Sequence, residues 1–349
     1  MLRIDGDLQA GEHWALSFAI GFGVLGWLVF PIGVSGFLSE GPLTVLLSAG
    51  ALAAVLLRRT GAFFKPPRPD AVGWVLLVLL GLVFVFDLME GLAPPADADT
   101  LAYHFAVPKQ FLDAGRIDFI LQPLNGAVPF GVQMTYIPAM ALGGEMAVTL
   151  WTMVSGWAAA ALLFVLSRRH LGFNWSLAAA LGFLTTPAVI YSGGSGHVET
   201  RIALFVMVAA WATVRAIQTS QTNYAVLAGL GAGFFAAAKY TGLLFAVVSG
   251  LVVVTQRRWL KNGTLFSAAM LVAGFQWYAW NVLHTGDPVF PMLFQWLGRD
   301  DLALWPKAHD LVFKESYFPS ENPLPKTLPW LFLFPFKATL FPQVLPDAG

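Results

Sequence analysis

The chain has no cysteine, which excludes disulfides, thiolate nucleophiles and Cys-ligated metals and leaves the redox compartment unmarked. Charge is almost as scarce. Only 11% of the 349 residues are Asp, Glu, Lys or Arg, with 20 acids against 20 bases and a formal net charge of zero. A neutral chain has no general electrostatic attraction for nucleic acid, and none is expected as a partner. The first residues also lack the basic start of a secretory signal. Asp5, Asp7 and Glu12 face a single Arg3, and no small-residue cleavage site closes the following apolar run, so a cleaved signal peptide is not expected.

What is abundant is apolar surface. Hydrophobic residues make up 57% of the chain and the mean hydropathy is +0.67, more than a soluble globule can bury. The chain reads as an all-α, polytopic membrane protein. Apolar runs fall at about 14–38, 42–57, 72–92, 145–166, 174–191, 201–217, 224–238, 241–255, 263–283 and 328–343, which predicts about ten transmembrane helices. The runs starting at 42, 224, 241 and 328 are shorter than the roughly 20 residues of a perpendicular span, so tilted, broken or partly inserted helices are expected there.

Basic residues cluster in alternate loops: Arg58, Arg59, Lys65 and Arg68; Arg168 and Arg169; Arg215; and Arg257, Arg258 and Lys261. The positive-inside rule places these in the cytoplasm. The opposite loops carry Glu40, the stretch from Asp87 to Asp118, then His197 and Glu199, then the acidic stretch from His284 to Lys326 with Glu321. Residues 126–142 are apolar enough to be mistaken for a span, but they contain Pro129, Gly131 and Pro138. An interfacial helix is expected there, since a crossing would put Arg168 and Arg169 outside. With a helix starting near Asp99, bent at Pro108 and ended at Gly115, it would form a juxtamembrane pair in an external loop over 93–144. Three regions follow: an N-terminal hairpin and Pro-rich linker (1–70), a transmembrane core (71–300), and an external segment with a last helix (301–349).

Ionisable residues at a membrane boundary are candidates for chemistry. Asp97 and Asp99 follow the 72–92 run, and a partly desolvated carboxylate there gains basicity. Asp99 is the expected general base. Its structural alternative is to cap a helix starting at Thr100. Lys239 lies between two short apolar runs, where its ammonium can meet a phosphate or anchor a helix end. His197 and Glu199 follow the glycines of Gly193-Gly194-Ser195-Gly196. Glu199 is expected to orient an acceptor, to ligate a cation, or to pair with Arg201 at a helix start. The set is too sparse to claim a metal, so Mg²⁺ or Mn²⁺ stays an open expectation.

Four stretches, taken in order, resemble the GT-C membrane glycosyltransferases, and among these the bacterial protein O-mannosyltransferases and lipid A aminoarabinose transferases. They are Asp99 with Tyr103, His104, Pro108 and Lys109; Gly196-His197-Val198-Glu199; Lys239-Tyr240-Thr241-Gly242; and Asn281 with Thr285-Gly286-Asp287-Pro288-Val289-Phe290-Pro291. The resemblance covers roughly residues 72–300. It implies a GT-C architecture and sugar transfer from a polyprenyl-phosphate donor at the extracytoplasmic face of a bacterial inner membrane. Asp99, Asp97 and Glu199 would then be catalytic, while Tyr103, His104, His197, Lys239, Tyr240 and Asn281 would bind substrate. Gln133 and Asp287 depart from the usual acid and Asn. The rivals are a transporter or flippase of lipid-linked substrates and a non-catalytic subunit of a membrane assembly. Against transport stand the near absence of charge from span centres and of matching broken helices.

Overall fold

The computed structural model describes residues 8–9, 11–56, 67–255, 258–317 and 327–340. Arg3, Asp5, Asp7, Arg58, Arg59, Lys65, Arg257, Glu321 and Lys326 lie outside them. Every regular element among the described residues is helical, with no strand. The chain runs through α1 (Glu12–Val34), α2 (Glu40–Leu56), α3 (Ala71–Leu92), a π-helical turn (Thr100–His104), α4 (Ala106–Ala114), a 3-10 turn (Gln133–Thr135), α5 (Tyr136–Ser167), α6 (Phe173–Leu184) and α7 (Pro187–Tyr191). It continues through α8 (Glu199–Thr219), α9 (Thr222–Ala238), α10 (Thr241–Val253), α11 (Trp259–Thr285), α12 (Phe294–Leu297), α13 (Lys307–Tyr317) and α14 (Leu328–Leu340).

Four stretches are long and apolar enough to cross a membrane: α1, α3, Gln133–Ser167 and α8. Helices α2, α6, α9 and α10 are apolar but shorter. The run expected at 174–191 is two helices, because Pro187 has no N–H to continue α6 and Thr186 before it is extended (φ −63°, ψ 128°).

The core is built around α9. Its glycines let neighbouring backbones approach closely, since a Cβ at Gly233 would sit 2.4 Å from Met270 O on α11 and one at Gly231 would sit 2.9 Å from Phe205 O on α8. Small residues at contact faces are how helices pack where lipid offers no hydrophobic drive. Helix α1 joins this core and is not set apart in a hairpin: Phe22 stacks on Trp151 at 5.7 Å, and Trp27 Nε1 donates to Val272 O at 2.9 Å. Only Leu43 of α2 is buried.

Contacts between helix ends define two ends of the bundle. At one, Arg169 Nη2 donates to Glu12 Oε2 at 2.6 Å, Asn174 Nδ2 donates to Asp70 Oδ1 at 2.9 Å, and the Arg215 guanidinium lies over Tyr224. At the other, Gly196 N donates to Thr100 Oγ1 at 2.7 Å, and Asn281 Nδ2 donates to the Tyr240 hydroxyl at 2.9 Å. Residues 126–142 stay at this second end. Ala127 O accepts from Tyr240 there, Tyr136 Oη donates to Gly196 O, and past residue 142 Thr149 Oγ1 donates to Gly91 O at the end of α3.

The local form of this segment differs from the interfacial helix expected. Phe130, Val132, Met134, Tyr136 and Ile137 are fully buried in protein, and the helix that begins at Tyr136 turns at Gly144 (φ 68°, ψ −163°) into the long arm of α5. The segment is apolar because it is core. Nor does Pro108 bend a helix. The break falls before it at Phe105, and Pro108 occupies the first turn of α4, where a missing N–H does no harm. Gly115 ends α4 in the left-handed region (φ 69°) as expected.

This arrangement predicts that cysteines at positions 168 and 307 lie on opposite sides of the membrane. An impermeant maleimide should label the Lys307→Cys variant in intact cells and the Arg168→Cys variant only after permeabilisation. Equal labelling of both would overturn the assignment of helix ends.

Candidate active site

The first acidic loop folds back onto the glycine loop before α8. Asp97 Oδ1 accepts from Thr100 N at 2.8 Å, so Asp97, and not Asp99, caps the π-helical turn. Asp99 is exposed, and its side chain caps nothing. Thr100 is buried, and its hydroxyl accepts from Gly196 N, which ties this turn to the loop carrying His197 and Glu199.

That loop is held from below by Arg201, which is fully buried in the first turn of α8. Its guanidinium donates to Ser192 O and His197 O at 2.8 Å, to Gly193 O at 3.1 Å and to Ser155 Oγ at 3.1 Å. Glu199 does not pair with it and instead contacts Lys239. Lys239 leaves the end of α9 in an extended conformation (φ −155°, ψ 148°), which carries its ammonium across to the start of α8.

His197 stands between the two acidic segments, with Nε2 3.2 Å from Asp97 Oδ1 and Nδ1 3.8 Å from Glu199 Oε2. The Asp97 contact is close but misaligned, so Nε2 is buried without a hydrogen bond. His104 is buried, and its ring centre lies 5.5 Å from that of His197. Its Nδ1 pairs with Gln133 Nε2 at 3.0 Å. Burial first, and then the neighbouring His197, push the His104 imidazole down to about 3, so it is neutral at physiological pH. Burial and then the Asp99 carboxylate push the Tyr103 phenol up to about 12, so it too stays neutral.

A cavity of about 270 Å³ opens beside this cluster, lined by Tyr103, His104, Pro129, Gln133, Lys239 and Tyr240 among others. Thus Tyr103, His104, Lys239 and Tyr240 reach one cavity, and Asp97, Asp99, His197 and Glu199 gather next to it. Asn281 is not brought there. It is 1% exposed, and its amide is spent on Tyr240, Ala127 O and Pro288 O. Tyr240 Oη in turn lies 3.0 Å from both Ala127 O and Phe290 O, so the pair fastens three loops beneath the cavity. Asp287 also builds a loop, accepting from Val289 N at 2.8 Å and Leu293 N at 2.9 Å. Gln133, noted in the sequence only as the place of a missing acid, proves to line the cavity. Arg201 was legible only as a charge at a helix start.

A bundle of apolar helices with one cluster of ionisable groups gathered at a helix end, around a small cavity, has the make-up of an integral membrane protein with a boundary site. Residues 134–282 match the profile of the family described as dolichyl-phosphate-mannose-protein mannosyltransferase. The match supports the GT-C glycosyltransferase superfamily and indicates membrane glycosyltransferase activity in general. It includes His197, Glu199, Lys239, Tyr240 and Asn281 and begins after Asp97, Asp99, Tyr103 and His104. No curated protein and no solved structure matches the chain.

Proposed function

We propose that this protein is a GT-C type, inverting glycosyltransferase that moves a sugar from a polyprenyl-phosphate donor to an acceptor hydroxyl, at the extracytoplasmic face of a bacterial inner membrane. The observation that carries this reading is an uncommitted carboxylate and an ammonium beside one cavity of neutral hydrogen-bonding groups: Asp99, Lys239, and Tyr103 with His104. The orientation rests on the basic residues Arg168, Arg169 and Arg215 at the far end of the bundle.

Transfer needs a base for the acceptor and a counter-charge for the leaving group. The Asp99 carboxylate takes the proton of the acceptor hydroxyl as its oxygen attacks the anomeric carbon. The bond from that carbon to the phosphate oxygen breaks, and the electron pair leaves on polyprenyl phosphate. Lys239 holds the growing negative charge, exchanging Glu199 for phosphate as the donor enters. Tyr103 supplies a hydrogen bond to the sugar or the acceptor.

Lys239→Met keeps most of the apolar stem and removes the charge. A hydrogen bond to a charged group is worth about 1.5–3 kcal/mol, so polyprenyl-phosphate affinity should fall roughly tenfold to a hundredfold. Lys239→Arg should retain part of it. Unchanged binding in a titration of monodisperse Lys239→Met protein would leave the lysine as an anchor only and remove the phosphate site from this cavity.

A further inference from the structure

Asp99, His104 and His197 come from two chain segments about a hundred residues apart, yet each offers a ligand atom lying within 4.8 Å of the other two. We propose that these three side chains bind a divalent transition-metal ion of the Zn²⁺, Co²⁺ or Mn²⁺ class, leaving at least one coordination position open. The donor chemistry selects the class. Two imidazoles and one carboxylate suit borderline ions, whereas Mg²⁺ and Ca²⁺ take oxygen ligands. Three protein ligands with a vacant fourth position is also the pattern of reactive zinc sites, as opposed to structural ones.

Two independent features point the same way. A ligating histidine normally has its second ring nitrogen held by a neighbouring polar group, which sets the tautomer. His104 Nδ1 is held by Gln133, itself 2% exposed, leaving Nε2 as the ring position for an ion. The Gln133 amide oxygen is buried with no partner. The two ends of an amide exchange by rotation of its last torsion. With the oxygen turned to Nδ1, the ring carries its proton there and presents a bare Nε2. The second feature is His197 Nε2, which is buried without a hydrogen bond although Asp97 Oδ1 is 3.2 Å away.

The side chains must draw together to hold an ion. Around a tetrahedral ion, ligand atoms about 2.0–2.2 Å from the metal lie about 3.3–3.6 Å apart, so a separation of 4.8 Å must close by roughly an ångström or slightly more. The exposed Asp99 side chain can rotate to do this.

Under the transferase reading, on which this last step rests, Asp99, His104 and His197 would hold the ion beside the acceptor hydroxyl that Asp99 deprotonates. A neighbouring divalent ion makes that hydroxyl easier to deprotonate.

The test uses the purified full chain in detergent, titrated with Co²⁺ and followed by its d–d absorption. A saturable band at one Co²⁺ per chain, displaced by Zn²⁺, is expected. His197→Asn and Asp99→Asn should weaken binding by at least about tenfold, and Gln133→Leu by about tenfold, the usual size of an outer-shell effect. Lys239→Met should titrate like the parent, because the lysine contributes no ligand. The idea is overturned if the parent shows no saturable band, or if His197→Asn and Asp99→Asn both bind Co²⁺ as the parent does. No sugar donor enters the titration, so failure of the transferase reading would not move it.

Discussion

Asp99→Asn should lower sugar transfer by at least about a hundredfold, the lower range for losing a general base, while the protein still inserts and folds. The reason it should fold is structural. Asp97 makes the capping bond to Thr100 N, and the Asp99 carboxylate caps nothing, so an amide at 99 removes no bond that holds the turn. Asp97→Asn is the informative contrast. Asparagine caps a helix about as well as aspartate, so the turn persists and only the contact with His197 weakens. Its effect on transfer should be several times smaller. Transfer measured with a radiolabelled polyprenyl-phosphate sugar at near-parent rates in Asp99→Asn would move the base elsewhere in the loop.

Arg201→Met should be the most damaging single change to the fold near the site. It removes four donated hydrogen bonds and leaves three loop carbonyls without their buried partner. Each bond from a charged donor is worth about 1.5–3 kcal/mol, and a buried acceptor left without its donor costs about 1–3 kcal/mol, so the loss should amount to several kcal/mol. The loss should appear as a clear drop in unfolding temperature in detergent and as new proteolysis between Ser192 and Val198. Arg201→Lys keeps the charge but cannot reproduce the forked geometry, so it should fall between. An unchanged unfolding temperature for Arg201→Met would mean that the glycine loop is positioned by its own turns and not from α8.

Several residues changed meaning between chain and fold, for a common reason. Asp97 and Asp99 differ by two positions in the same turn, and nothing local states which one faces Thr100 N. Glu199 has Arg201 two residues away, yet it meets Lys239 because α8 and the end of α9 converge, while Arg201 points under the loop. Tyr240 and Asn281 sit in motifs that resemble a transferase, but they are tied to Ala127, over a hundred residues distant from either. Spacing along a chain predicts contacts within one turn of helix. It does not predict partners brought together by packing.

The helical character was legible because transfer of apolar side chains out of water is a local, additive quantity, and charge asymmetry between loops follows from the same list of residues. Those features determined the all-α membrane class, most helix positions, and the collection of Asp97, Asp99, His197, Glu199 and Lys239 at one end. Hydropathy does not distinguish lipid from protein as the apolar surroundings. Only the tertiary structure decided that residues 126–142 are core, that α1 is central, and that His104, Gln133 and His197 meet, because each depends on which helix faces fit closely enough to pack.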